Sequence, residues 1–295
     1  MTLHTDQKIA LIGGDARQEE VCRILAARGF EVAAFDFDAA QDVPRTKCRT
    51  LADAVQAAHA VLLPVPSVSK NAQGKECVNT TGISVEEFLD ILPRGQRIVG
   101  GFTDGFTERH GDAFRLYNLL SSENFQIPNA VLTAEAAIGI AIQKPPVSLW
   151  NSNALVLGYG RIGKILAAAL RDLGARVTVA ARSGQARTLA AANHLYAVDC
   201  ESHRFDMCLR RADVIFNTAP AMLLDADRLL YASRCRLIVD LASGGGGTDF
   251  EAARRLEIET VHALGLPGKS APVSAGRILA ECIMDYFEEE GLCKS

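Results

Sequence analysis

Gly158, Gly160 and Gly163 form a G-x-G-x-x-G turn within "ALVLGYGRIGKILAAAL", between an apolar β-branched run and an alanine-rich helical segment. That context gives the motif its chemistry. Gly158 permits the tight turn, Gly160 lets a pyrophosphate approach the backbone, and Gly163 allows close helix packing. The helix N-terminus adds amide donors and the positive end of its dipole. Tyr159, Arg161 and Ile162 complete the turn. Dinucleotide binding is the expected function of this stretch.

A NAD site normally carries Asp or Glu at the end of the next strand, to hold the ribose hydroxyls. Here "VTVAARS" ends in Ala181, Arg182 and Ser183. Arg182 can pair with a 2′-phosphate bidentately and Ser183 can donate to it, so NADP is expected ahead of NAD. Three later loops should face the nicotinamide and its ribose. They contribute Thr218, Ala219 and Pro220 from "NTAPAM", Asp240, Ala242 and Ser243 from "DLASGGGGTDF", and Leu266 and Pro267 from "GLPGKSAP". The glycines at 244–247 permit close backbone approach or simply a flexible turn.

Near the N-terminus, "IGGDARQ" looks like a second nucleotide loop. It lacks the third glycine and places Asp15, Arg17 and Gln18 at a helix start. Charged side chains there suit a carboxylated substrate better than another dinucleotide. A helix cap by Asp15, with Arg17 in solvent, is the plainer alternative.

The elements that must position these residues alternate along the chain. In the first half, strands are expected at 8–14, 31–35, 60–65, 97–102 and 125–130, with helices after the first glycine pair, at 85–92 and at 109–120. The second half has strands at 153–158, 176–182, 213–219, 236–243 and 257–264 with helices between them. "TAEAAIGIAIQ", 133–143, reads as a connecting helix with Thr133 as N-cap, and Pro145-Pro146 break it. The fold class is therefore α/β, with two open parallel-sheet domains and a cleft between them. Residues 1–132 form the first domain, completed by a C-terminal helix at 274–295. Residues 133–150 connect it to a Rossmann domain at 151–273.

Composition narrows the function further. The 295 residues suffice for two domains, and 48% hydrophobic with 22% charged residues fits a soluble globular chain. Thirty-one basic against 35 acidic residues give a net charge of -4 with no basic run, so nucleic acid is not an expected partner. No apolar run of ~20 residues and no leader pattern is read, which predicts no membrane span and a cytoplasmic location. The eight cysteines (Cys22, Cys48, Cys77, Cys200, Cys208, Cys235, Cys282, Cys293) and six histidines are dispersed. Reduced thiols, no metal site and no nucleophile-elbow hydrolase follow.

"IGGDARQ", "LPV" at 63–65, "TAEAAIGIAIQ", "GYGRIG", "NTAP", "DLAS" with "GGTDF", and "GLPGKSAPVSAGRILA" occur in the order and spacing of the A-subunit family of dipicolinate synthase. The chain resembles that family from about residue 7 to about residue 287. The resemblance implies a flavodoxin-like first domain and NADP-linked oxidation of a dihydrodipicolinate-type precursor to pyridine-2,6-dicarboxylate in endospore formation. The flavoprotein-like B-subunit of dipicolinate synthase would be the partner, and a homo-oligomer stays open. The implied reaction removes a hydride and a proton from the ring while two carboxylates are held. Arg17 and Lys269 are the candidate carboxylate ligands. Glu135 is the leading base, with Asp15 and His262 as alternatives. Two other readings compete: a two-domain NADP dehydrogenase of another small carboxylic acid, and a noncatalytic nucleotide-binding protein.

Overall fold

The computed structural model describes residues 7–292, so Cys293 and the ends of the predicted first domain and terminal helix lie outside the described residues. The chain divides into two units, Met1–Asn129 with Ala271–Ser295, and Ala130–Ser270.

The first unit runs β1 (Lys8–Ile12), α1 (Ala16–Ala27), β2 (Glu31–Phe35), β3 (Thr46–Lys47), α2 (Leu51–Val55), β4 (Ala60–Leu62), β5 (Val68–Lys70), β6 (Glu76–Val78), α3 (Val85–Ile91), β7 (Arg97–Gly100), α4 (Asp104–His110) and β8 (Arg115–Asn118). Six strands pair in parallel in the order β3-β2-β1-β4-β7-β8. Without the two-residue β3 this is the 2-1-3-4-5 order of flavodoxin-like folds. The continuous apolar runs of β1 and β4 are buried on both faces, as a parallel sheet covered by helices requires.

Helix α5 (Glu123–Gln143) spans the division between the units. The second unit follows with β9 (Asn153–Leu157), α6 (Arg161–Asp172), β10 (Arg176–Ala180), α7 (Gly184–Ala192), β11 (Tyr196–Val198), α8 (His203–Leu209), β12 (Val214–Asn217), α9 (Ala226–Leu229), β13 (Leu237–Asp240), α10 (Phe250–Arg255), β14 (Glu259–His262) and α11 (Leu266–Ser270). Its sheet is parallel in the order β11-β10-β9-β12-β13-β14, the doubly wound Rossmann arrangement.

The chain then returns to the first unit as α12 (Pro272–Glu289), which packs along α1. The approach is close: a Cβ at Gly276 would lie 2.5 Å from the Arg17 carbonyl oxygen and 2.7 Å from Glu20 Cβ. Leu279, Ile283 and Phe287 enter the same core as Val21, Leu25 and Phe30, and Tyr286 stacks on Tyr117 with ring centroids 4.2 Å apart.

Several expected elements differ. Residues 125–130 are helix, not strand, because burial at Phe125, Ala130, Ala134, Ala137, Ile138 and Ala141 follows one helical stripe through Pro128. Thr133 is therefore a buried mid-helix residue rather than a cap, and Glu135 lies mid-helix on an exposed face rather than at the helix start. The expected helix at 109–120 ends at the Gly111 cap, and residues 115–118 pair with β7 instead. The polar loop after β4 contains the β5–β6 hairpin. By length and composition alone, α5 meets the requirement for crossing a bilayer, contrary to the expectation. Its buried side is used in packing, where Ala134, Ala137, Ile138 and Ala141 fill the second unit's core.

Candidate functional site

In the second unit, strand order reverses between β9 and β12, and the glycine turn leaves β9 at that point. Open α/β sheets bind ligands outside the carboxyl ends of their strands at such a switch. Gly158 has φ +93°, and a Cβ there would lie 2.6 Å from Thr218 Oγ1, whose hydroxyl donates to the Leu157 carbonyl at 2.9 Å. A Cβ at Gly163 would collide with the Gly158 carbonyl oxygen, so this glycine sets the distance between helix and turn.

Gly160 is different. It caps α6 with no side-chain hydrogen bond, and a Cβ there would meet nothing within 4 Å. The first turn of α6 thus begins beside open space, at the position where the motif requires pyrophosphate to approach. The residues present fit a dinucleotide. Tyr159 is buried, Ile162 half-buried and Arg161 exposed.

At the end of β10, Ala181 is buried and Arg182 exposed, while Ser183 caps α7 by accepting from the Ala186 amide at 3.3 Å. Sequence reasoning missed Arg187. Its Nη1 donates to the carbonyls of Ala181, at 2.8 Å, and Arg182, at 2.5 Å, and pairs with Asp199 at 2.8 Å, bracing the loop that presents Arg182. An arginine inside a helix carries no sequence mark of such a role.

The loops after β12 and β13 are joined by a buried polar network. Asp240, expected to touch cofactor, is instead completely buried. Its Oδ1 accepts from Asn217 Nδ2 at 3.1 Å and the Ala242 amide at 3.0 Å. Oδ2 accepts from the Gly247 amide at 2.8 Å and Thr248 Oγ1 at 2.7 Å. Asn217 is also fully buried and holds both the amide and the carbonyl of Ala219. A Cβ at Gly247 would strike Asn217 Nδ2 and the Ala221 carbonyl, so close approach explains this glycine; Gly244 and Gly245 face open space. Thr218 and Ala219 are half-buried, and Pro220 and Ser243 exposed, above this network.

His262 ends β14, exposed, with its Nε2 3.4 Å from the Ala242 carbonyl and its ring 5.1 Å from that of Phe250. Leu266 and Pro267 are buried at the start of α11, and Lys269 is exposed on that short helix, not in a loop as expected.

In the first unit the corresponding reversal lies between β1 and β4. Asp15 caps α1 and Gln18 reaches back to it, a closed capping box. Arg17 Nε and Nη2 bond the Asp15 carboxylate at 2.9 and 2.8 Å, and Nη2 also donates to the Val65 carbonyl at 2.7 Å, tying α1 to the loop after β4. Arg17 is therefore not in solvent; its side chain is 13% exposed. Burial pushes the Asp15 carboxyl up, but the hydrogen bonds and charge of Arg17 outweigh it and hold the group below its ordinary range. Sequence reasoning also missed Thr80. Its Oγ1 accepts from the Gly14 amide at 2.6 Å, seating the loop after β6 against the glycine pair. Among the described residues no cluster of His, Cys, Asp and Glu could hold a metal.

Comparison with known proteins gives a match in each unit. Residues 8–110 match the family model of the N-terminal domain of the dipicolinate synthase A-subunit, and residues 139–244 match the NAD binding domain of D-isomer specific 2-hydroxyacid dehydrogenases. The crystal structure of the dipicolinate synthase A-subunit from Bacillus halodurans is similar at a TM-score of 0.83, with 30% identity and 99% of each chain covered. The transhydrogenase of Sinorhizobium meliloti, 16% identical with 96% of this chain and 94% of that chain covered, shares the fold at a TM-score of 0.67. The NAD-binding dehydrogenase domain makes the chain an NAD(P)-dependent oxidoreductase. The chain is 32% identical to the dipicolinate synthase A-subunit of Bacillus subtilis (strain 168), with 97% of both covered, and it belongs to the A-subunit family of dipicolinate synthase.

Proposed function

We propose that the chain catalyses NADP-linked oxidation of dihydrodipicolinate to dipicolinate, together with a flavoprotein-like B-subunit. The observation that carries this reading is the contrast between the two glycine turns. Gly160 opens α6 to an anion, whereas the turn at Gly13–Gly14 is filled by the Asp15–Gln18 cap and by Thr80. One unit is thereby suited to a dinucleotide and the other to a smaller ligand met by side chains.

The glycine turn would hold the pyrophosphate, and Arg182 with Ser183 the 2′-phosphate. When bound, the nicotinamide supplies a two-electron hydride acceptor. The chain's own residues have three tasks: to grip the carboxylates, exclude water from the ring and take one proton. Arg17 meets a substrate carboxylate with a charge-assisted hydrogen bond, oriented by Asp15, and Lys269 is the second cation. Asp15, held ionised by Arg17, orients rather than accepts a proton. Glu135 is the proposed base, ahead of His262. Loss of a hydride and a proton leaves the aromatic pyridine ring, which drives the reaction forward.

Freshly generated dihydrodipicolinate, incubated with the purified chain and NADP with and without its partner, tests the reading. NADPH and dipicolinate should form in equal amounts. No turnover with either nicotinamide cofactor, with both proteins present, would overturn it.

A further inference from the structure

Asp240 combines features that ordinary loop packing does not need. Four donors converge on its two oxygens, the pattern that an acceptor-only carboxylate satisfies in full. It is 0% exposed, and all four partners are neutral: two backbone amides, one side-chain amide and one hydroxyl. No ion pair reaches it among the described residues. His262, its register partner on β14, is turned to the Ala242 carbonyl and the Phe250 ring. A full negative charge, hydrogen-bonded but not neutralised, therefore lies beneath the loops that leave β12 and β13.

Those loops occupy one side of the switch point, and the Arg182 loop after β10 occupies the other. A dinucleotide laid across the α6 N-terminus with its adenosine end at Arg182 brings its nicotinamide end towards β12 and β13. The oxidised nicotinamide ring is positively charged and the reduced ring is neutral. A buried, unneutralised carboxylate interacts more strongly with the first than with the second, and low local dielectric enlarges the difference.

We propose that Asp240 is a positioning residue that also biases the site electrostatically towards the oxidised nicotinamide cofactor, favouring its capture as substrate and the release of its reduced form. The inference rests on the assignment of the second unit to a nicotinamide cofactor. It does not depend on the choice between NAD and NADP.

The test is equilibrium binding of the oxidised and reduced forms of whichever cofactor pair the parent prefers, measured by calorimetry without substrate. The parent should bind the oxidised form severalfold more tightly. Asp240→Asn should lower the ratio of reduced-form Kd to oxidised-form Kd by about tenfold. Asp240→Glu keeps the charge and should keep the ratio, even where altered packing weakens both affinities. A folded Asp240→Asn protein with the parent's ratio overturns the proposal. Should that variant not fold, a parent that prefers the reduced form overturns it instead. A parent that binds neither form removes the cofactor assignment, and this inference with it.

Discussion

Asp15 and Gln18 close the first turn of α1 on each other: the Asp15 side chain accepts from backbone amides of that turn, and Gln18 Oε1 accepts from the Asp15 amide at 2.9 Å. The carboxylate of Asp15 stands where a bound phosphate would have to stand. The glycine pair before it is bound in the same way, since the Gly13 amide donates to Phe35 and the Gly14 amide to Thr80. A turn that resembles a nucleotide loop in sequence is sealed by its own side chains.

The open turn gives the sharpest contrast between two glycines. Gly160→Val places its Cβ where nothing lies within 4 Å, so the fold should persist while dinucleotide affinity falls at least tenfold, or about 1.4 kcal/mol. Gly163→Ala instead drives a methyl group into the Gly158 carbonyl and should lower stability by about 1–3 kcal/mol. Calorimetric binding and thermal unfolding of the two variants separate these effects. A Gly160→Val protein with parental affinity would refute the assignment of the turn.

Arg182→Ala should remove most of the preference for NADP over NAD while leaving NAD affinity unchanged. Loss of a charge-assisted contact corresponds to about 1.5–3 kcal/mol of NADP binding. The side chain is exposed, so stability should hardly change. Equal affinities of the parent for both cofactors would remove the basis of this prediction.

Arg17 should link substrate use to acid stability. Because the folded Asp15 carboxyl lies below its ordinary value of 3.8, its stabilisation is fully present above that value and is lost as pH falls through the folded one. Asp213 behaves likewise: burial raises it, but its bonds from Asn153 and Arg234 prevail. Arg17→Ala should lower stability at neutral pH by about 1–3 kcal/mol, flatten the loss of stability in acid, and reduce kcat/KM. Denaturant titrations across the acid range measure this; parallel pH profiles for parent and variant would show that Arg17 does not lower the Asp15 carboxyl.

Lys269→Ala and Glu135→Gln should each reduce kcat/KM at least tenfold with cofactor Kd unchanged, because both side chains are exposed and neither belongs to the pyrophosphate turn. Steady-state kinetics with the partner present measures the loss. Parental kinetics for Glu135→Gln would move the proton to His262.

The parts legible in the sequence are those whose signal is local. The apolar runs of β1 and β9, the glycine turn between β9 and α6, and the long α12 all announce themselves within a few residues. What escaped depends on partners distant in the chain. Asp240 reads as a polar strand end available to ligand, and only the return of Gly247 and Thr248 over it shows why it is buried. Likewise, β8 has a helical composition and becomes a strand because β7 offers it an edge. Residues 125–130 read as a strand, yet the buried stripe on either side of Pro128 carries α5 through them.

The return of α12 to the first unit sets an order for the chain's assembly on the ribosome. The whole of residues 130–270 is synthesised before α12, so the second unit can be complete while the first still lacks Leu279, Ile283 and Phe287 from its core. Vectorial synthesis ordinarily lets the N-terminal domain finish first; here the first unit to begin is the last to close. Until it does, the core around Val21 and Leu25 lacks the side chains that α12 supplies, and a nascent chain stalled before residue 272 would present that incomplete core to chaperones and proteases.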